Sequence, residues 1–118
     1  MKYLSMYTPD PARAVNPPDE NCNAQMQQLI TEFQEKGILV ATGGLLPVTQ
    51  GGARMRRVAG EISVLDGPFA EAKEVVAGWA ILEAKSREDV IEIARRFLDI
   101  AGDGECEVRP IMDPPQGV

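Results

Sequence analysis

The chain has 118 residues, the length of one ordinary domain, and we expect residues 1–118 to form a single domain. Eighteen acidic residues against twelve basic residues give a net charge of −6. This charge disfavours nucleic acid and anionic membrane surfaces as partners. The sequence begins without the apolar stretch of a secretory signal and nowhere contains 18 consecutive apolar residues, so we expect a cytoplasmic protein.

The sequence contains no histidine. Its composition therefore excludes the commonest general base, the usual partner of a serine or cysteine nucleophile, and the commonest transition-metal ligand. Cys22 and Cys106 form no CxxC pair, and no aspartate spacing resembles a calcium loop. Carboxylate oxygens could still bind a hard cation, but we expect no metal site and no resident cofactor.

The first half of the chain alternates strand and helix signals. Residues 2–7 alternate like a half-buried strand, and residues 8–19 form a Pro-rich loop that could be a lid or only a long connection. Asp19 can cap the helix that follows, which carries an apolar stripe and ends near Gly37. That stripe consists of Cys22, Met26, Leu29, Ile30 and Phe33.

Further strand signals follow this helix. Residues 38–48 indicate a strand broken by a bulge or bend at Gly43 and Gly44, and residues 53–65 indicate the short strands of a hairpin or meander. Residues 75–84 are apolar on both faces, which is typical of a strand covered on both sides.

The end of the chain predicts a second helix and a last strand. Ser86 and Asp89 form a capping box that begins a helix, and Gly102 ends it. Residues 105–112 then read as the last strand. The inner face of the helix carries Val90, Ala94, Phe97 and Ala101.

This order predicts an α+β fold, a ferredoxin-like split βαβ plait with an added strand. Two helices can cover only one face of such a sheet. The doubly apolar strand at residues 75–84 therefore needs a second cover. Two sheets packed about a two-fold axis would supply it, so we predict a homodimer.

Residues 65–74 read LDGPFAEAKE. Asp66 ends a strand, Gly67 permits unusual backbone angles, and Pro68 can begin a short helical turn. Asp66 can accept hydrogen bonds from the amides of this turn, and Phe69 can point inward as an anchor. A structural cap explains the pattern without catalysis, although Asp66 is also the candidate catalytic acid or base.

The chain resembles the DGPF or YCII-related family over nearly its whole length. The resemblance is carried by residues 65–74, by the small-residue strand after them and by the EVRP of residues 107–110. The resemblance implies a dimeric α+β barrel of ferredoxin-like topology. Many members resemble proteins encoded beside extracytoplasmic-function sigma factors, which implies a sigma factor as an alternative partner. A histidine and aspartate dyad is proposed for the YCII branch, and of that dyad this sequence offers only Asp66.

The expected faces of the strands predict a ligand site. The residues expected under the helices are Leu4, Met6, Ile62, Val64, Val108 and Met112. The opposite face would then meet the partner subunit, with Asp66 at its rim. The candidate ligand-binding residues are Tyr7, Ser63, Phe69, Glu107 and Arg109. Gly78 and Ala80 remove side-chain volume and could leave room for a small ligand.

Several of these residues have a second, structural interpretation. Glu107 and Arg109 could form an interface ion pair or bind an anion. The arginines of residues 54–57 could bind an anion, but on an exposed strand they more often discourage edge pairing. Trp79 is expected to anchor the core or an interface, and Tyr7 to bury its ring with a bonded hydroxyl.

Three functions from different classes follow. The first is a small-molecule-binding or regulatory homodimer with a ligand cleft between the sheet and the partner subunit. The second is a cofactor-free enzyme, such as a lyase, an isomerase or a monooxygenase-like catalyst, in which Asp66 is the acid or base. The third is a protein partner of an extracytoplasmic-function sigma factor. No complete catalytic constellation is visible, which favours the first.

Overall fold

The computed structural model describes residues 1–10, 20–46, 50–65 and 76–112. The helices in these ranges are α1 (Glu20–Glu35) and α2 (Arg87–Ala101). The strands are β1 (Lys2–Pro9), β2 (Leu39–Gly44), β3 (Arg54–Val58), β4 (Glu61–Leu65), β5 (Gly78–Glu83) and β6 (Gly104–Pro110). The expected Pro-rich loop, the Asp19 cap and the turn that contains Asp66 and Phe69 lie outside the described residues.

Four strands form the main sheet, in the order β2-β5-β1-β6, and every neighbouring pair is antiparallel. With the two helices this is the split βαβ plait, so the predicted α+β fold is confirmed. The added element differs from the prediction. β3 and β4 pair with each other in a separate two-stranded sheet, and the strands described here close no barrel within one chain.

Local signals explain where α2 begins and ends. Ser86 is extended and its hydroxyl accepts a hydrogen bond from the Asp89 amide at 3.1 Å. The Asp89 carboxylate in turn accepts one from the Lys85 amide at 2.9 Å, one residue before the position that a capping box normally uses. Gly102 ends the helix with φ of 92°, and its amide donates to the Leu98 carbonyl at 2.9 Å.

The irregularity predicted in β2 occurs at a different position. The register with β5 shifts between Leu39 and Ala41, where Val40 is exposed. Gly43 and Gly44 continue the ladder and pair with β5. The glycine pair therefore does not interrupt the strand, and the bulge lies earlier along it.

The core lies between the main sheet and the two helices. It packs strand side chains against the apolar stripes of α1 and α2, as those stripes predicted. Val90 is fully buried at its centre. The buried cluster consists of Tyr3, Leu29, Phe33, Leu82, Ala84, Val90 and Ile93.

The face expected for β1 is wrong. Tyr3, Ser5 and Tyr7 are buried, while Leu4 and Met6 are only half-buried on the opposite face. Because side chains alternate along a strand, this one difference exchanges all the β1 side chains that lie under the helices. The tyrosine rings are large enough to fill the space there, and the small Ser5 side chain lies between them.

Other expected core residues are also displaced. Ile62 and Val64 belong to the separate hairpin and are 63% and 55% exposed, and Met112 is 87% exposed. Val108 does pack against the core, as expected. Within the described ranges, neither helix is long and apolar enough to cross a membrane.

Glu32 of α1 links the two helices at their exposed side. Its carboxylate accepts hydrogen bonds from the Arg96 guanidinium of α2, one of them at 3.1 Å, and from Lys36 Nζ at 3.2 Å. The bonds from Arg96 and then Lys36 lower the pKa of Glu32 from 4.5 to about 2. Arg96 also lies over the Phe33 ring, with its guanidinium carbon 5.1 Å from the centroid.

We expect Glu32→Gln to remove a pH-dependent part of the stability. Because the folded-state pKa is lowered, the unfolded chain binds the proton more tightly. The carboxylate therefore stabilises the fold above pH 4.5, and this contribution is lost as the pH falls toward 2. Urea denaturation between pH 4.5 and 2 measures the free energy of unfolding of both chains. The difference between the wild-type chain and the variant should shrink as the pH falls.

The matched control is Glu92→Gln, which removes a carboxylate that pairs with Arg95 within α2. Its unfolding free energy should follow that of the wild-type chain closely, since exposed pairs within one helix contribute little. A difference between wild type and Glu32→Gln that stays constant at every pH would contradict the assigned role of Glu32.

Candidate functional site

An apolar pocket of about 200 Å³ lies between the main sheet and the helices, partly open to solvent. Its walls come from β1, β2, β5, α1 and α2. The sheet contributes Ser5, Tyr7, Leu39, Thr42, Gly43, Gly78, Trp79, Ala80 and Leu82, and the helices contribute Met26, Leu29, Ile30, Phe33, Ile93, Ala94 and Phe97. None of these side chains is charged, so the pocket suits an uncharged molecule.

Small residues of β5 create the space. Gly78 and Ala80 lie on the helix-facing side of the strand, opposite Tyr7 and Ser5 of β1. Their lack of bulk leaves the volume beneath the helices unfilled, as the small-residue pattern of this strand predicted. The pocket is thus a gap in the core at the end of the sheet where side chains are smallest.

Three hydroxyl groups lie in the pocket wall, and each already has a partner within the protein. Thr42 Oγ1 donates to the Trp79 carbonyl at 2.8 Å. Ser5 Oγ and Cys106 Sγ are 3.0 Å apart and share a hydrogen bond. A hydroxyl that donates one hydrogen bond still has oxygen lone pairs that can accept another hydrogen bond. The Thr42 hydroxyl can therefore accept a hydrogen bond from a ligand.

Tyr7 forms one end of the pocket. Its hydroxyl donates toward the carbonyl oxygens of Gly102 and Asp103, at 3.4 and 3.2 Å. Its ring meets Phe97 edge to face with centroids 5.2 Å apart. A Cβ atom at Gly104 would lie 2.7 Å from the Thr8 carbonyl oxygen and 2.9 Å from the Tyr7 hydroxyl, so only glycine permits this packing.

Trp79 also borders the pocket beside the edge strand β2, and its register with Met6 places the indole ring on the open face of the sheet. The partner of Trp79 across the ladder is Gly43. A Cβ atom at Gly43 would lie 2.9 Å from Trp79 Nε1, so the indole ring lies directly against the glycine backbone. This contact holds the ring against β2 on the open face.

Cys106 lies beside the pocket, behind Ser5. Burial raises the pKa of its thiol, and the hydrogen bond with Ser5 only partly opposes this effect. The thiol is therefore protonated at neutral pH and is not an activated nucleophile. Among the described residues, no group of three or more His, Cys, Asp or Glu side chains could hold a metal ion.

The structure separates the candidate site residues. Tyr7 lines the pocket, but Glu107 and Arg109 lie on the opposite face of the sheet, paired with Met6 and Leu4. Ser63 lies in the β3–β4 hairpin, paired with Arg56. Asp66 and Phe69 lie outside the described residues.

No ion pair joins Glu107 to Arg109 among the residues described. The expected grouping of Tyr7 with these two charges on one face is therefore wrong. The reason is the face of β1, because the side chain of Tyr7 lies under the helices.

Several pocket residues were not recognised as such in the sequence. Phe97 and Leu29 belong to helix stripes that indicate a core and carry no signal of a cavity. Thr42 reads as an ordinary strand residue. The one local signal was the small pair in β5, Gly78 and Ala80, and the rest of the pocket depends on how distant elements pack.

The comparisons with known proteins define the family. The YCII-related domain family matches residues 1–114, and the chain belongs to this family. An uncharacterised protein of Rhizobium meliloti (strain 1021), R00369, is 33% identical over 94 residues, which are 79% of this chain and 75% of that protein.

The fold also resembles that of a solved enzyme. The 5-chloro-2-hydroxyhydroquinone dehydrochlorinase TftG from Burkholderia phenoliruptrix AC1100, in complex with 2,5-dihydroxybenzoquinone, superposes with a TM-score of 0.58. The match covers 97% of this chain and 96% of that one at 16% sequence identity. At this identity the likeness concerns the fold, and TftG has the dimeric α+β barrel fold.

We expect Gly43→Ala to move the Trp79 ring. The added methyl group would meet the indole at 2.9 Å, so the ring must shift away from β2 toward solvent. Because Trp79 is the single tryptophan of the chain, its fluorescence emission should move to longer wavelength.

Gly44→Ala is the matched control, since its methyl group would lie 3.7 Å from the Ala77 carbonyl oxygen, an ordinary contact. Its emission spectrum should equal that of the wild-type chain. Equal spectra for Gly43→Ala and Gly44→Ala would show that Trp79 does not pack against Gly43.

Proposed function

We propose that this YCII-related protein binds a small uncharged ring compound between its sheet and its helices, and that it does so as a homodimer. The observation that supports this proposal is the pocket of about 200 Å³ with its mostly apolar lining. An apolar cavity of about 150 Å³ accommodates a benzene molecule. The volume therefore suits a single ring with one or two substituents.

The chemistry of the wall narrows the ligand class. A charged ligand would lose its hydration without gaining an opposite charge from the described residues, because none of those that line the pocket is charged. The hydroxyl of Thr42 already donates to a carbonyl and is free to accept. The favoured ligand is thus a neutral ring that carries a hydrogen-bond donor, such as a phenol or a hydroquinone.

The solved structure with a similar fold gives secondary support. TftG is described in complex with 2,5-dihydroxybenzoquinone, which is also a six-membered ring with oxygen substituents. The sequence identity of 16% carries no residue correspondence to this chain. The likeness indicates only that this architecture can enclose a ring of that size.

The homodimer is supported by the uncovered face of the main sheet. Leu4, Met6, Trp79 and Ile81 lie on this face and remain partly exposed in a single chain. β5 is apolar on both faces, and such a strand is normally covered on both. A second copy packed on this face about a two-fold axis would bury these side chains.

We expect hydroquinone to bind and benzoate, an anion of similar size, not to bind. Binding to the folded state raises the melting temperature, and a ligand at 100 times its dissociation constant adds about 2.7 kcal/mol. Ala80→Leu would fill the pocket and abolish the shift. Ala24→Leu makes the same chemical change on the exposed side of α1. This control variant should retain the rise in melting temperature with hydroquinone.

Titration calorimetry with the same two compounds gives the affinities directly. Equal binding of hydroquinone and benzoate would contradict the uncharged ligand class. Equal binding of hydroquinone to the wild-type chain and to Ala80→Leu would contradict this pocket as the site.

The alternative function is that of a cofactor-free enzyme with Asp66 as acid or base. The observation that favours it is the likeness of fold to a dehydrochlorinase. If the protein is such an enzyme, it should convert a bound phenol or hydroquinone to a product. Asp66→Asn should then lower the turnover rate roughly 100-fold or more. The variant should keep the ligand affinity and the melting temperature of the wild-type chain. Unchanged turnover in Asp66→Asn, measured by product formation, would exclude Asp66.

A further inference from the structure

The β3–β4 hairpin carries an apolar face that is exposed to solvent. Met55, Ile62 and Val64 are 64%, 63% and 55% exposed. The register pairs Met55 with Val64 and Arg57 with Ile62, so these four residues share one face of the hairpin. Within the described part of the chain the hairpin pairs with no third strand. An isolated two-stranded hairpin is marginal in water, so this face requires a cover.

The hairpin is also the positively charged part of an acidic protein. Residues 54–65 contain three arginines and one glutamate, a net charge of +2, in a chain of net charge −6. The rest of the molecule therefore carries −8. Opposite charges attract the hairpin to an acidic surface, and a second copy of the chain provides one. The same negative charge opposes the approach of nucleic acid.

A complementary surface lies on the uncovered face of the main sheet. Leu4 and Met6 of β1 are half-buried there, and the register places Glu107 of β6 directly beside Met6. Glu107 is exposed and takes part in no ion pair among the described residues. β6 presents Glu105, Glu107 and Arg109 on this face, a net charge of −1. An apolar strip beside this net negative charge matches an apolar hairpin face that carries Arg57.

We propose that the hairpin of one protomer docks on β1 and β6 of a second copy, with Arg57 paired to the partner's Glu107. A two-fold axis makes this contact twice in each dimer. The apolar side chains of the hairpin then cover Leu4 and Met6 of the partner subunit. This inference rests on the proposed homodimer, and it assigns to the hairpin the role of an arm that holds the second subunit.

Reversing one charge at a time tests the pairing. In Arg57→Glu two glutamates would face each other at each contact, and in Glu107→Arg two arginines would. Like charges brought together across an interface should weaken association about tenfold at each contact, so the dimer dissociation constant should rise about 100-fold in either variant. Sedimentation velocity over a dilution series measures this constant, and circular dichroism checks that both variants fold.

Mixing the two variants gives the decisive result. In a heterodimer of Arg57→Glu with Glu107→Arg both contacts bring opposite charges together, so the mixture should dimerise as the wild-type chain does. An interaction within one chain could not be restored by mixing. Arg87→Glu, an exposed charge reversal at the start of α2, is the matched control and should leave dimerisation unchanged.

The remaining outcomes separate the two proposals. A wild-type dimer that Arg57→Glu and Glu107→Arg leave unchanged would overturn the docking of the hairpin and leave the homodimer standing. A wild-type mass that stays at 12.8 kDa at every concentration would overturn both. Binding of a short DNA duplex at physiological salt that Arg57→Glu abolishes, without any effect on mass, would assign the hairpin to nucleic acid instead.

Discussion

The pairing of β1 with both β5 and β6 at the centre of the main sheet is the constraint on which the rest of the structure depends. It fixes Tyr3, Ser5 and Tyr7 under the helices. Because neighbouring side chains in the ladder share a face, it also fixes which residues of β5 and β6 face the core. The location of the pocket and the composition of the open face both follow from this register.

On the helix side, the register places the two smallest residues of β5 beside Ser5 and Tyr7, and no side chain of the described residues fills the space above them. On the open side, it places Leu4 and Met6 beside the charged residues of β6. One face of the sheet therefore offers an uncharged cavity. The other offers a mixed apolar and charged surface, which suits a protein partner better than a small ligand.

The order of elements could be predicted because its signals are local. Ser86, Gly102 and the apolar stripes of the two helices mark their elements within a few residues of sequence. The face of β1 could not be predicted from alternation, because Leu4 and Met6 make the more hydrophobic face and yet Tyr3, Ser5 and Tyr7 are the buried residues. Tyr7 is buried since its hydroxyl reaches carbonyl oxygens at residues 102 and 103, and alternation along β1 contains no information about those partners.

The pocket favours binding over catalysis for a related reason. Its polar atoms are hydroxyl groups that already bond within the protein, and the nearby Cys106 thiol stays protonated because burial raises its pKa. In a chain without histidine, no described residue at the pocket is poised to take a proton near neutral pH. Binding requires only the volume and the hydroxyl groups already in place.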